Sequence, residues 1–221
     1  KGLESRTPCD LMRIAIYFTP PSEHPLARFA AAWFAQEDLK QATAPAAFYG
    51  FHATLKPPFM PRLSRSLQDI LLAAQSFAEA QPALTVGQLC VKPLGSFLAL
   101  LPGSANPELD AFAAACVRDF DRFRAVPEPE ELARRRVKGL TDRQEHFLSR
   151  WGYPYVMEEF RFHMTLTGPL DRPNLANAGS RARQMLGDAL LEPVVLDAVT
   201  LSLQTAPDRG FQEWRRLPLS G

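Results

Sequence analysis

Cysteine is scarce in this sequence, and long apolar runs are absent. The chain of 221 residues has three cysteines, Cys9, Cys90 and Cys116, and no two of them form a CxxC pair. An odd and widely spaced set suggests neither a disulfide framework nor a zinc site, and it favours a reducing cytoplasm. No apolar stretch approaches the roughly 20 residues that span a bilayer, and the N-terminus lacks the basic-then-apolar pattern of a signal peptide. A cytoplasmic protein without a membrane partner is therefore expected.

An excess of charge of either sign is also missing. The chain has 25 Lys and Arg against 24 Asp and Glu, which gives a net charge of +1. This balance gives no electrostatic case for long RNA or for an anionic membrane. With 46% hydrophobic residues, the chain can build a sizeable core, either as one large domain or as two small lobes.

Two similar stretches stand out against this ordinary composition. The first reads Gly-Phe-His-Ala-Thr-Leu-Lys over residues 50–56, and the second reads Arg-Phe-His-Met-Thr-Leu-Thr over residues 161–167. Residues two apart in a strand share a face, so each stretch would present a His and a Thr together, with apolar residues on the opposite face. This pattern occurs at two of the four His, which favours a functional site over two structural histidines.

The elements around the two stretches predict an α+β fold with a rough internal duplication. Each half reads strand, helix, strand and strand, and the first strand is predicted over residues 12–18. Capping residues are predicted at three helix starts: a capping box of Ser66 with Asp69, a capping box of Thr141 with Gln144, and an N-cap at Asn106. We predict two pseudo-symmetric lobes, each an antiparallel sheet with helices packed outside, around a central cleft that carries one His-x-Thr motif per lobe. The motif strands are predicted over residues 48–56 and 160–167, and residues 37–46 are predicted to form a loop.

The expected arrangement of the chain is a single bilobal domain over residues 12–221. The first lobe is predicted to cover about 12–105, a helical insertion about 106–155, and the second lobe about 156–221. Residues 1–11 match no structural period, so we expect them to be an expression remnant outside the fold.

The insertion has no counterpart in the first half and is predicted to be helical. We expect it to lie over the cleft. Its basic run, Arg134-Arg135-Arg136, is interpreted as a solvated helix face rather than a phosphate site, because several glutamates lie alongside it.

Two facing imidazoles suit general acid–base catalysis. With an unperturbed pKa near 6.5, one histidine can be neutral while the other is protonated at neutral pH. One would act as general base on an attacking oxygen and the other as general acid on a leaving oxygen, as in an in-line displacement at phosphorus. We therefore predict His52, Thr54, His163 and Thr165 as catalytic, with the hydroxyls donating to the non-bridging phosphate oxygens. The sequence leaves open which histidine is the base.

Four further side chains are predicted to bind the substrate. Lys56 and Arg161 share the motif faces if strict alternation holds, and there they would add positive charge. Tyr49 and Tyr155 lie near the motifs, as does Tyr153, and such rings can stack on a base or a sugar. A metal site needs three or four ligands that converge, whereas only two His repeat here, so neither a metal nor another cofactor is predicted.

The sequence around both motifs resembles that of the two-histidine phosphoesterase superfamily, which includes LigT-like 2′-5′ RNA ligases and cyclic nucleotide phosphodiesterases. Residues 49–59 and 151–168 are similar to a bacterial family found with phosphonate-utilisation operons, and the resemblance covers both halves from Met12 onward. It implies a metal-independent phosphoric diester hydrolase of the cyclic phosphodiesterase type, with the four predicted catalytic residues carried over. The implied substrate is a small ribose or nucleoside cyclic phosphate, and the operon setting implies a role in phosphonate metabolism.

Two alternatives use the same cleft. One is a non-catalytic binder of RNA ends or cyclic nucleotides, and the other is a 2′-5′ RNA ligase-like activity. The balanced charge argues against long RNA, so a small phosphate ester is the predicted partner. The sequence leaves the oligomeric state open.

Overall fold

The structure of the protein, a computed structural model, describes residues 12–137 and 139–220. The strands of this part of the chain are β1 (Arg13–Phe18), β2 (Ala53–Phe59), β3 (Leu84–Gly87), β4 (Leu89–Leu94), β5 (Phe97–Pro102), β6 (Met164–Thr165), β7 (Val194–Leu196), β8 (Ala198–Gln204) and β9 (Gln212–Pro218). The α-helices are α1 (Pro25–Phe34), α2 (Lys40–Tyr49), α3 (Leu67–Ala80), α4 (Pro107–Phe120), α5 (Pro129–Arg136), α6 (Asp142–Trp151) and α7 (Arg172–Leu186). None of these helices combines the length and the apolar character needed to cross a membrane. The remnant expected at residues 1–11 lies outside the described residues.

Seven strands form one antiparallel sheet in the order β4-β5-β6-β2-β1-β8-β9, while β3 and β7 pair separately. Helix α4 packs against β2, α7 against β4 and β5, and α3 against β8 and β9. The buried apolar residues of these strands and helices form one main core. The predicted α+β class, with antiparallel strands and packed helices, is confirmed.

The sheet is shared between the two halves of the chain, which corrects the expectation of one sheet per lobe. β1 of the first half pairs with β8 of the second half, and β6 of the second half lies between β2 and β5 of the first half. Ile16 and Leu201, both fully buried, lie side by side in this register although they belong to opposite ends of the chain. Burying such apolar faces in one core needs strands from both halves. The lobe boundaries near residues 105 and 155 stay a prediction.

Residues 37–46 are helical rather than a loop, which corrects a second expectation. A short 3₁₀ turn at Glu37–Leu39 leads into α2, which contains Pro45. Proline in a helix interior removes one intrahelical hydrogen bond. Packing from the second half supports the helix here, because Gly168 donates its N–H to the Ala42 carbonyl at 2.7 Å. Helix α2 ends at Gly50, whose φ of +76° favours glycine, and the chain turns there into the first motif.

The helix ends follow the sequence closely. Ser66 and Asp69 form the predicted capping box of α3, and Thr141 and Gln144 form that of α6. Asn106 caps α4 through its side chain, as expected. These caps depend on residues three apart, so local sequence is sufficient to specify them.

Candidate active site

The two His-x-Thr motifs lie next to each other in the sheet. β2 pairs with β6 through Ala53 and Met164, the central residues of the two motifs. Because the strands are antiparallel, this register sets His52 opposite Thr165 and sets Thr54 opposite His163. The four side chains share one face, since residues two apart point the same way.

The strands that carry the motifs are shorter than predicted. β6 has two residues, and His52 and His163 each directly precede a strand rather than lying inside one. Directly opposite residues of antiparallel strands have Cβ atoms about 4.5–5.5 Å apart, and diagonal neighbours about 7–8 Å. The two histidines occupy the diagonal of this quartet.

Each imidazole is oriented by the backbone two residues before it. Nδ1 of His52 lies 2.9 Å from the Gly50 carbonyl oxygen, and Nδ1 of His163 lies 2.7 Å from the Arg161 carbonyl oxygen. A carbonyl oxygen only accepts, so Nδ1 carries the proton in both neutral rings. Both motifs therefore present the same tautomer, with Nε2 as the atom that takes up or gives a proton.

A cavity of about 410 Å³ opens on this face of the sheet. His52, Thr54 and Thr165 line it, whereas His163 lies beside it, with its ring centroid 5.8 Å from that of the lining residue Phe97. Other parts of the wall are Arg13, Tyr17, Pro45, Tyr49, Arg135, Tyr153 and Gly168. Cavities of roughly 300–1,000 Å³ are typical of small-molecule sites. Arg135 and Tyr153, which fall in the predicted insertion, form one side of the cavity.

His52 is packed under an aromatic ring. The ring of Tyr17 stacks on it, with 3.7 Å between the centroids and 20° between the planes. Burial lowers the pKa of His52 to about 4, against the opposing effect of its hydrogen bond to the Gly50 carbonyl, and the nearby His163 lowers this pKa further. His52 is therefore neutral at pH 7, which is the state required of a general base.

His163 is perturbed in the same direction. Burial lowers its pKa below the usual 6.5, and the hydrogen bond to the Arg161 carbonyl opposes that shift. An anion placed between the two rings would raise both pKa values, because an opposite charge favours the protonated imidazole. A phosphate bound between the rings would therefore favour protonation of a histidine beside it.

Lys56 lies away from the cavity, which corrects the prediction that it binds the substrate. Its side chain is buried, and the ammonium donates to the Val117 carbonyl at 3.1 Å, with the Asp121 carboxylate 3.7 Å away. Burial lowers the pKa of Lys56 to about 8, and the charge of Asp121 opposes the shift. The lysine is part of the packing between β2 and α4.

A β-bulge explains the misplacement of Lys56. Thr54 pairs with Tyr17, but Lys56 pairs with Ile16, so two residues of β2 pass for one residue of β1. A bulge of this kind breaks the alternation of faces on which the prediction depended. The lysine therefore does not continue the row begun by His52 and Thr54.

The other predicted binding residues divide into two groups. Tyr49 lines the cavity, where its ring stacks against Phe211 with 6.1 Å between centroids. Tyr155 is exposed and does not line the cavity, but its neighbour Tyr153 does. The side chain of Arg161 is exposed and also lies outside the lining, so the arginine contributes its carbonyl rather than its charge.

Three lining residues were missed by reasoning from the sequence. Tyr17 was assigned only to the first strand, Arg13 was given no role, and Arg135 was interpreted as part of a solvated face. The sequence did offer a signal for Tyr17, because its hydroxyl is the one polar group among the apolar residues 14–18. For Arg13 and Arg135 no local signal exists, because their approach to the motifs depends on the tertiary fold.

Ligands for a metal ion are not grouped in this structure. Across residues 12–137 and 139–220, no three or more His, Cys, Asp and Glu side chains are arranged to hold one. That the protein needs neither a metal nor another cofactor remains a prediction.

The fold matches that of a solved protein, LigT of E. coli. The structure of E. coli LigT complexed with 3′-AMP aligns with a TM-score of 0.50 at 14% sequence identity, over 95% of this chain and 99% of LigT. An alignment at that identity shows the fold alone. The chain thus has a LigT-like fold, and the fold implied by the resemblance is confirmed.

Sequence comparison gives the family. A family model described as "Protein of unknown function (DUF1045)" matches residues 54–212, and the chain belongs to that family. Two curated relatives are named ribose 1,5-bisphosphate phosphokinase PhnN. The one from Janthinobacterium sp. (strain Marseille) is 36% identical over 96% of this chain and 51% of its own length, and the one from Laribacter hongkongensis (strain HLHK9) is 31% identical over 83% and 46%. The chain spans about half the length of these relatives.

Proposed function

We propose that this chain is a metal-independent phosphoesterase that opens a small cyclic phosphodiester of ribose by two-histidine acid–base catalysis. The observation that carries the proposal is the register of β2 and β6, which sets each histidine opposite the threonine of the other motif. Two imidazoles with the same tautomer, two hydroxyls and an adjoining cavity are the groups that such a reaction requires.

The reaction needs one proton acceptor and one proton donor. Nε2 of the neutral histidine takes a proton from the attacking water as the new P–O bond forms. The protonated histidine gives its proton to the ribose oxygen as the P–O bond of the ring breaks, so one histidine gains the proton that the other loses. Thr54 and Thr165 donate hydrogen bonds to the non-bridging oxygens. The product is a phosphomonoester.

His52 is proposed as the base and His163 as the acid. His52 is stacked under Tyr17, and its protonated form is the more strongly disfavoured of the two because its pKa is lowered to about 4. The protonated state therefore resides more readily on His163. This assignment concerns hydrolysis, and the two roles exchange in the reverse direction.

A ribose phosphate is the proposed substrate class. The curated relatives are named for a kinase acting on a ribose bisphosphate, which suggests related chemistry for a segment found within them. The aromatic lining, with Tyr49 and Tyr153, suits a sugar or a base. A role in phosphonate metabolism in the cytoplasm is part of the same proposal.

Phosphorus NMR with ribose and nucleoside 2′,3′-cyclic phosphates tests the proposal. The purified protein should convert a cyclic phosphate to a phosphomonoester at the same rate with and without EDTA. His52→Ala and His163→Ala should each lower the rate by roughly 10²–10⁴-fold. His146→Ala is the matched control, since this exposed histidine of α6 lies outside the cavity.

The outcomes distinguish the alternatives. Loss of turnover in EDTA would refute metal independence, and turnover that survives both histidine substitutions would refute the mechanism. Tight binding of cyclic nucleotides or RNA ends without any turnover would support the non-catalytic binder. Joining of RNA ends carrying a cyclic phosphate would support the ligase-like activity.

A further inference from the structure

The cavity beside the motifs is positively charged. Arg13 and Arg135 line it, and among residues 12–137 and 139–220 no Asp or Glu belongs to the lining. Across the whole sequence, acidic and basic residues are nearly equal in number. A concave surface of one sign in a neutral protein concentrates ligands of the opposite sign. The lining therefore selects an anion.

Arg135 is held in place by an ion pair with Glu131 and by an aromatic ring. Its Nη2 donates to Glu131 at 2.7 Å, and its guanidinium carbon lies 4.8 Å from the centroid of the Tyr153 ring. Nε of Arg135 is buried and has no hydrogen-bond partner among the described residues. One carboxylate oxygen and one ring thus position a five-donor group that retains donors for a ligand.

Arg13 approaches the cavity from the sheet. Its Nε donates to the Gln204 side-chain oxygen at 2.7 Å, and its guanidinium lies 5.6 Å from the centroid of Phe211. A neutral amide orients this arginine, so its charge is not cancelled by that contact. Planar guanidinium groups match the geometry of phosphate oxygens and bind them through two parallel hydrogen bonds.

The reacting phosphate does not account for these arginines. In the proposed reaction the two histidines and two threonines of the motifs contact that phosphate. Arg135 lies on α5 and Arg13 lies on β1, outside both motifs. A mono-anionic diester bound at the motifs would leave the remaining hydrogen-bond donors of both arginines without a phosphate partner.

We infer that the substrate carries a second phosphate, a phosphomonoester, and that Arg135 on the insertion binds it with the help of Arg13. This inference rests on the proposed function for the identity of the first phosphate. A cavity of about 410 Å³ accommodates a sugar with two phosphates. The insertion then acts as a specificity element, because it supplies the charge that the motif strands lack.

Binding of two stable probes tests the inference without any turnover. Isothermal titration calorimetry compares ribose 1,5-bisphosphate with ribose 5-phosphate on the full chain. The bisphosphate should bind roughly 10- to 100-fold more tightly, since charge-assisted hydrogen bonds to a second phosphate are gained. Arg135→Gln should reduce that preference to within about threefold, and Arg135→Lys should retain part of it because the charge is kept.

Arg134→Gln is the matched control. Arg134 precedes Arg135 on the same helix, is exposed and does not line the cavity, so its substitution should leave the preference unchanged. Thermal melting of each variant checks that the fold is intact. An equal loss of preference in Arg134→Gln would show a general charge effect and would overturn the assignment to Arg135.

A kinetic comparison separates this inference from the proposed function. Two ribose cyclic phosphates that differ only by a phosphomonoester should differ in kcat/KM in the intact protein, and the ratio should fall in Arg135→Gln. Turnover of both substrates at equal kcat/KM, together with equal binding of the two probes, would overturn the inference and leave the phosphoesterase proposal standing. A bisphosphate preference that depends on Arg135, with no cyclic phosphate opened, would support the inference and refute the proposed reaction.

Discussion

Lowering the pH from 7.5 to 5 should destabilise the protein through His52. The native pKa of this ring is about 4, against 6.5 for a solvated imidazole. Between these two values the unfolded chain binds a proton that the native protein does not, so the free energy of unfolding falls as the pH falls. His52 therefore adds its full stabilisation above pH 6.5, and this stabilisation is lost once the pH falls through about 4.

The size of the effect follows from the same two values. The difference of about 2.5 pKa units corresponds to about 3 kcal/mol at full development, of which about 2 kcal/mol is reached at pH 5. One edge of the ring faces the cavity and water, so this figure is an upper bound. His163 adds a loss of the same sign over the same pH range.

Urea unfolding of the intact protein and of His52→Gln at both pH values isolates the contribution of His52. Glutamine does not titrate, so the variant should lose about 1–2 kcal/mol less than the intact protein on going from pH 7.5 to 5. His24 also has a pKa lowered by burial, but it is present in both proteins and cancels in the comparison. NMR titration of the ring protons should place the His52 midpoint near 4 in the absence of phosphate.

A normal midpoint would refute the argument. If the His52 signal titrates at 6–7 in the ligand-free protein, then burial beneath Tyr17 does not disfavour the imidazolium. Identical pH dependence of unfolding in the intact protein and His52→Gln would lead to the same conclusion. Either result would also remove the reason for assigning the base to His52 rather than to His163.

Three further outcomes follow from the structure. The pH profile of kcat/KM should be bell-shaped and centred below 6.5, because burial lowers the free-enzyme pKa of His52 to about 4 and also lowers the pKa of His163; a centre above 6.5 would contradict this. Lys56→Met should cost about 2–4 kcal/mol in urea unfolding, yet leave kcat within about twofold, since the ammonium is bonded away from the cavity; a large rise in KM would restore its predicted role. Gly168→Ala should lower the free energy of unfolding by about 1–3 kcal/mol, because the added Cβ would lie 2.8 Å from Cγ of Pro45. An unchanged melting temperature would show that the proline ring moves aside.

Local sequence was sufficient for many elements of this fold. Residues three apart specify the capping boxes at Ser66 and Thr141, and both are present as predicted. The hairpin of β4 and β5 turns at Leu94-Gly95, where glycine supplies the positive φ that the turn needs. These features depend on neighbours in the chain, so they are readable without the tertiary structure. Helix α2 was missed because part of its support is non-local and comes from Gly168.

The sequence by itself determined which residues form the candidate site, through two matched His-x-Thr motifs that lie more than 100 residues apart and that the structure places side by side. It also determined the α+β class, because apolar periodicity reports which faces must be buried. Only the tertiary structure decided that β2 and β6 are neighbours, since strand pairing is non-local. The same packing excluded Lys56 through a bulge, placed Tyr17 on His52, and brought Arg13 and Arg135 to one cavity. Burial and distance set the pKa values and charge of the site, and neither quantity exists until the chain has folded.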